Sequence, residues 1–233
     1  FAPFRPEEVN FNYTEANAWQ YSLFVPQDIS GHIKLMGGIK KYEQHLDNMF
    51  SASTETSGRE QSDITGLIGQ YAHGNEPSHH MAYLYNYVGK PHKTQKIVRQ
   101  ILDEQYTHLP DGLSGNEDCG QMSAWYVLSA MGFYSVTPGL DYYTIGTPLF
   151  EKATFNLENG NAFTIVANNV SNDNIYIQSA NLNGEIFEHS FIKHATILNG
   201  GKLVFDMGSS PSSWASESIP LSSITKNEIV AVP

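Results

Sequence analysis

Thr154-Phe155-Asn156-Leu157-Glu158-Asn159-Gly160-Asn161-Ala162-Phe163-Thr164-Ile165-Val166 reads as strand, turn, strand. Apolar and β-branched residues alternate on both sides of Asn159-Gly160, the strongest short-range hairpin signal. The pattern recurs over residues 175–182 and 185–189, separated by Asn183-Gly184. A third pair is predicted from Ile197-Leu198, the turn Asn199-Gly200-Gly201 and residues 202–207. Short strands at regular spacing predict an antiparallel sandwich or half-barrel. The Ser- and Pro-rich tail from Ser209 is predicted to be loosely ordered as far as Ile229.

Before Pro138-Gly139 the texture is different. Apolar residues recur at helical spacing over 39–50 (Ile39, Tyr42, Leu46, Met49, Phe50) and over 93–106 (Ile97, Ile101, Leu102). In the second of these helices Lys96-Gln100 and Arg99-Asp103 are assigned to the wet face. Residues 17–24 form a predicted buried helix stopped by Val25-Pro26, since proline disfavours helical geometry in the residue before it. Residues 78–88 form another, with Ser78 as N-cap and Gly89 at its end. Residues 121–131 are apolar nearly all round and predict a central helix with Trp125 in the core. Residues 51–62 are polar and read as a long surface loop. The predicted class is therefore α+β, with a helical region over 1–140 and an antiparallel β region over 141–233.

Composition narrows the partners. Thirteen Lys and Arg face 24 Asp and Glu, for a net charge of -11, which argues against nucleic acid and against an anionic membrane surface. No apolar run approaches the roughly 20 residues that cross a bilayer. The single Cys119 excludes an internal disulfide and a multi-cysteine zinc site. It is read as packing, because a nucleophilic thiolate wants electropositive company rather than neighbouring acids. The opening Phe1-Ala2-Pro3-Phe4-Arg5-Pro6 reads like the interior of a longer protein.

Acidic residues stand at three predicted loop-to-helix junctions. Glu15 precedes Asn17-Ala18-Trp19-Gln20-Tyr21, and Glu76 lies in Gly74-Asn75-Glu76-Pro77-Ser78-His79-His80. Glu117 and Asp118 lie in Ser114-Gly115-Asn116-Glu117-Asp118-Cys119-Gly120-Gln121-Met122. Each has an ordinary explanation by itself. Ser114 or Asn116 can cap a helix, and acids suit the first turn. Gly-Asn-Glu-Pro is common turn chemistry. If the three junctions meet, two carboxylates on opposite sides of a glycosidic bond can serve as general acid and base. Others, with amide oxygens, can hold a hard cation. His79 and His80 are adjacent and cannot both face one site, which disfavours zinc.

Several stretches together resemble glycoside hydrolase family 92. They are Tyr13-Thr14-Glu15-Ala16-Asn17-Ala18-Trp19-Gln20-Tyr21, Phe24-Val25-Pro26-Gln27-Asp28, Gly74 to His80, Gly115 to Trp125, Met131-Gly132-Phe133-Tyr134 and Tyr143-Thr144-Ile145-Gly146. The resemblance spans roughly residues 1–210. It implies a calcium-dependent exo-α-mannosidase that inverts the anomeric centre. The family fold it implies is an N-terminal β-sandwich followed by an (α/α)6 toroid. This chain would be the C-terminal part of that toroid followed by a small antiparallel β-sandwich. The implied partners are mannose-containing glycans, with α-1,2 linkages the expected target, and the missing N-terminal domain of the same polypeptide. The implied location is periplasmic or secreted, and the fragment alone is expected to be inactive.

The same resemblance implies roles. Glu15 matches the general acid and Asp118 the general base, with Glu117 assisting or substituting. Asn75, Glu76 and Asp118 are the expected calcium residues, and Trp19, Gln20 and His79 the expected substrate contacts. The sequence departs from the family where Ala16 replaces a usual Gly, where Gln27 replaces a common His, and where Ser114-Gly-Asn-Glu-Asp replaces Pro-Gly-Asn-Asp-Asp. Two rivals stay open. One is a non-catalytic carbohydrate-binding or structural module, and the other a different toroid glycosidase or phosphorylase.

Overall fold

The structure, a computed structural model, describes residues 5–222 of the 233. The chain groups into two compact units, each drawn from separated stretches. Of the described residues, the first takes 5–81, 103–124 and Ser222, and the second takes 82–102 and 125–221.

In the first unit, strand β1 (Glu8–Val9) leads to helix α1 (Ala18–Tyr21). The helix predicted over 17–24 is thus a single turn. Asn17 accepts hydrogen bonds from the Trp19 and Gln20 amides, and the Gln20 side chain bonds back to the Asn17 amide, a complete capping box. Helices α2 (Ile29–Leu35) and α3 (Ile39–Ser51) follow, and α3 buries Tyr42, Leu46 and Met49 as the spacing predicts. The loop predicted over 51–62 contains a short strand, β2 (Ser57–Gly58), which pairs parallel with β1. Strands β3 (Leu67–Ile68) and β4 (Tyr71–Ala72) make a tight antiparallel hairpin.

The chain from 76 to 88 corrects one expectation. It forms 3₁₀ turns over Glu76–Ser78 and Met81–Val88 in place of one capped α-helix. Residues 81 to 88 are all buried, so tertiary burial and not an amphipathic period fixes this segment. Ser78 lies inside the first turn, and its buried hydroxyl has no hydrogen-bond partner.

The second unit holds helix α4 (Pro91–Glu104) up to Leu102 and helix α5 (Gln121–Met131) from Trp125. Trp125 is fully buried, as expected. Arg99 is not on the wet face: it is buried, and its Nη2 donates to Asn172 Oδ1 at 3.0 Å.

Strands β5 (Phe133–Tyr134), β6 (Tyr142–Ile145), β7 (Lys152–Asn156), β8 (Ala162–Asn168), β9 (Tyr176–Leu182), β10 (Glu185–Ile186) and β11 (Phe191–Lys193) precede helix α6 (His194–Leu198) and strand β12 (Gly201–Gly208). They form a three-stranded sheet of order β11-β6-β5 and a five-stranded sheet of order β10-β9-β12-β8-β7. The first two predicted hairpins form as β7–β8 and β9–β10. Asn183 and Gly184 both take the left-handed backbone, φ 53° and 92°, that a two-residue hairpin turn requires.

The third predicted hairpin does not form. Ile197 and Leu198 lie in α6, and β12 inserts between β8 and β9, parallel to the first and antiparallel to the second. Local turn chemistry identified Gly200-Gly201 correctly, since both take positive φ. Apolar residues on either side could not say which neighbour β12 would choose. The stretch after Ser209 is also better anchored than expected. Trp214 is buried, with its Nε1 donating to Phe187 O at 2.9 Å, and residues from 223 lie outside those described.

Phe133, Ile145, Phe163, Ile165, Ile177, Leu203, Phe205 and Trp214 form one apolar cluster to which both sheets contribute. Phe163 is fully buried within it. Phe163→Ala is therefore expected to lower unfolding stability by about 3–5 kcal/mol, read as a shift of the denaturant midpoint without loss of cooperativity.

Candidate active site

Glu76 and Asp118, far apart in sequence, adjoin in the first unit, with Glu15 in the electrostatic surroundings of Glu76. The hairpin β3–β4 is the organising element. Gln70 at its turn accepts from the Asn17 Nδ2 (2.8 Å) through Oε1 and from the Gln20 Nε2 (2.6 Å) through its backbone carbonyl. These buried bonds fasten the α1 cap, and with it the Glu15 stretch, to the strand that runs into Gly74-Asn75-Glu76. The Gln20 amide is engaged at both ends, by the Asn17 amide and the Gln70 carbonyl.

A second contact brings in the third acid. Gly74 donates its amide to Thr65 O at 3.0 Å, and the Thr65 hydroxyl donates to Ser114 O at 3.3 Å. A β-carbon at Gly74 would overlap both the Thr65 hydroxyl and the Ser114 carbonyl. One at Gly115, itself at φ 99°, would meet Thr65 Oγ1 at 2.8 Å. Only glycine lets these backbones approach so closely. The approach seats the segment 114–118 against 74–76.

The next turn then aims Asp118. Asp118, Cys119 and Gly120 take successive positive φ values of 47°, 57° and 86° immediately before α5. For the two non-glycine residues that conformation costs about 1–3 kcal/mol each and is typical of constrained functional segments. Cys119 is exposed, so its reading as a packing residue is corrected: the left-handed turn points it outward. Glu117 turns the other way. Its Oε1 accepts from the Ser123 amide at 3.0 Å and its Oε2 from the Ser123 hydroxyl at 2.8 Å, so it caps α5.

Asp118 instead adjoins Glu76. Burial raises the Glu76 carboxyl above its ordinary range, and the neighbouring Asp118 carboxyl, together with the more distant charge of Glu15, raises it further. Two carboxylates this close cannot both ionise without a compensating proton or cation. Glu76 Oε1 is buried with no hydrogen-bond partner. Asn75 beside it is buried as well. No group of three or more His, Cys, Asp or Glu side chains converges as a metal cage among the described residues. The oxygen donors of Glu76 and Asp118, one of them an orphaned buried oxygen, are the set that fits a hard cation.

His79 Nε2 faces the His73 carbonyl at 2.9 Å, so that nitrogen carries the proton. Its Nδ1 then accepts from Gln121 Nε2 at 3.0 Å. Burial lowers the His79 pKa to about 4, so the ring is neutral near pH 7. Trp19 is half-buried with its ring 5.2 Å from that of His45. The sequence reading did not single out Tyr21, Asp63 or Gln121. The Glu15 amide sits at the Tyr21 hydroxyl, with Asp63 in its electrostatic surroundings. Tyr21 and Gln121 were visible as polar neighbours of Glu15 and Asp118 in sequence, whereas Asp63 lay in a featureless polar stretch. A cavity of about 590 Å³ lies along loop residues 56–62, and none of the candidate acids lines it.

The description "Glycosyl hydrolase family 92 catalytic domain" matches residues 1–209, and the chain belongs to that family. Among solved structures, the family GH92 α-mannosidase BT3965 from Bacteroides thetaiotaomicron, in complex with mannoimidazole, is 37% identical at a TM-score of 0.89. That match covers 99% of this chain and 32% of the relative. The family GH92 inverting mannosidase BT2199 from the same organism is 37% identical at a TM-score of 0.82, covering 97% of this chain and 32% of that one. An uncharacterized secreted glycosidase of Arthroderma benhamiae is 32% identical over 204 residues, 86% of this chain and 24% of its own length. The chain thus spans about a third or less of these relatives. No helix among the described residues is long and apolar enough to cross a membrane.

Burial of His80 also lowers its pKa to about 4, although its Nε2 lies 2.8 Å from the Leu23 carbonyl. An unfolded histidine takes up a proton below about pH 6.5, whereas these two resist until about pH 4. Between those values the unfolded state binds more protons, so stability rises with pH. Unfolding stability is expected to fall as pH drops from 6.5 towards 4, by roughly 1.4 kcal/mol per unit of depression, read as a lower melting temperature. His79→Gln, whose amide can still donate to the His73 carbonyl, is expected to make that fall shallower.

Proposed function

We propose that this chain carries the acid–base machinery of an inverting exo-α-mannosidase, acting on terminal α-mannosides of glycans. The observation that carries this reading is the pairing of Glu76 with Asp118, with Glu15 in electrostatic range of Glu76, in a family 92 chain. In this reading Glu15 in its protonated form donates to the leaving glycosidic oxygen, and ionised Asp118 takes the proton from the attacking water. Glu117 is a poor candidate for the base, because both its oxygens are engaged by Ser123. The inverting relative BT2199 favours a single displacement.

Glu76 and Asp118, with Asn75 beside them, would hold a calcium ion. Bound there, calcium would supply oxygen coordination to mannose hydroxyls and favour ring distortion. Neutral His79 has both ring nitrogens engaged, by the His73 carbonyl and by Gln121, so its part in this reading is to orient Gln121 beside the acids. The remaining pocket walls would come from the rest of a longer polypeptide, with the helices here belonging to an (α/α)6 toroid and the β region to a C-terminal sandwich. Secretion, as described for the Arthroderma benhamiae relative, is the proposed location.

In the full-length protein, Glu15→Gln is expected to reduce mannose release from an α-mannobioside by about 10²–10⁴-fold, with an unchanged melting temperature. A chelator is expected to abolish release, and added calcium to restore it. Near-wild-type turnover by Glu15→Gln would remove the acid from the scheme, and indifference to the chelator would remove the metal.

A further inference from the structure

The segment that carries Glu15 has little structure of its own. Residues 10–16 form neither helix nor strand. A single residue from the 51–62 loop ties the segment down at several points. The Arg59 amide donates to Val9 O at 2.9 Å, continuing the parallel β1–β2 pairing. Its guanidinium lies over the Phe11 ring, 5.1 Å from the centroid. Its Nη2 donates to Thr14 O at 2.7 Å and to Tyr13 O at 3.4 Å.

The Thr14 carbonyl is one peptide bond from the Glu15 amide, so this anchor fixes the backbone at the acid itself. Tyr21 meets the same peptide from the other side, its hydroxyl at the Glu15 amide and its ring 5.2 Å from that of Tyr13. The partners of Arg59 are neutral carbonyls and a ring face, not a carboxylate. Its contribution is thus geometric: one terminal nitrogen holds two backbone carbonyls while the guanidinium plane covers the Phe11 ring, which the ammonium of lysine reproduces only in part. Protonation of a leaving group depends on placing the acid to within about an ångström.

We propose that Arg59 is a positioning residue for proton donation, holding the Glu15 backbone so that its carboxyl can reach the glycosidic oxygen. The proposal rests on Glu15 being the general acid. Loss of a positioned acid slows substrates with basic leaving groups far more than those whose leaving group departs unaided. A merely structural defect lowers both alike.

The test compares an α-mannobioside with 2,4-dinitrophenyl α-mannoside in the full-length enzyme. Arg59→Met is expected to cut kcat about 10²-fold on the disaccharide and no more than about threefold on the aryl substrate, with KM little changed. Arg59→Lys keeps one charged donor and is expected to lose about tenfold on the disaccharide alone. It carries the test if the Met variant does not fold. Glu15→Gln is measured alongside and should show the same selectivity. Equal loss on both substrates in the Arg59 variants, or no loss, overturns the proposal when Glu15→Gln is selective. If Glu15→Gln is not selective, the acid assignment fails and the role of Arg59 falls with it.

Discussion

Gly74 and Gly115 mark a place where the chain passes closer to itself than any side chain would allow. The Thr65 hydroxyl and the Ser114 carbonyl occupy the space a β-carbon at Gly74 would need. That backbone approach presses the segment ending in Asp118 against the one ending in Glu76. The Gln70 hub does the matching work on the other flank, fastening Asn17 and Gln20 to the same hairpin. Neutral backbone and amide bonds thereby bring Glu76 and Asp118 together and hold the Glu15 segment to the same hairpin. Burial first, and then the neighbouring Asp118 carboxyl, raise the Glu76 carboxyl, so desolvation and like charge both oppose the assembly. Such a cluster persists where surrounding structure over-determines it, and it is suited to a proton or a hard cation between the carboxylates.

Backbone strain sharpens the division of labour between two adjacent acids. Glu117 and Asp118 read in sequence as equivalent first-turn acids, either able to cap a helix or serve as base. The left-handed run from Asp118 to Gly120 separates them. Glu117 takes the capping role through Ser123, and Asp118 is turned towards Glu76. Sequence could not show this, because positive φ at Asp118 and Cys119 carries no signature beyond the glycine that follows.

Elements whose residues carry local geometry were legible in the sequence. The α3 apolar spacing, the Asn159-Gly160 and Asn183-Gly184 hairpins and buried Trp125 all follow from period and turn chemistry. What failed was decided at long range. The placement of β12 between β8 and β9 depends on a crossover through α6. The 3₁₀ path of Met81–Val88 depends on burial on all sides, and buried Arg99 on a distant Asn172 acceptor. Within the site, the junction acids were visible one at a time as motif residues. Their meeting, and the clasp of Arg59 on the Glu15 segment, required the fold.

The central claim is that Asp118 acts as the base while Glu117 caps the helix, and a nucleophile-rescue measurement tests it most directly. Glycine takes a φ of 47° without penalty, so Asp118→Gly removes the carboxylate while leaving the turn intact. In the full-length enzyme this variant is predicted to lose hydrolysis and to regain turnover with added azide, yielding β-mannosyl azide from an α-mannoside. Hydrolysis by Asp118→Gly at a near-wild-type rate, or azide rescue confined to Glu117→Gly, would contradict the account.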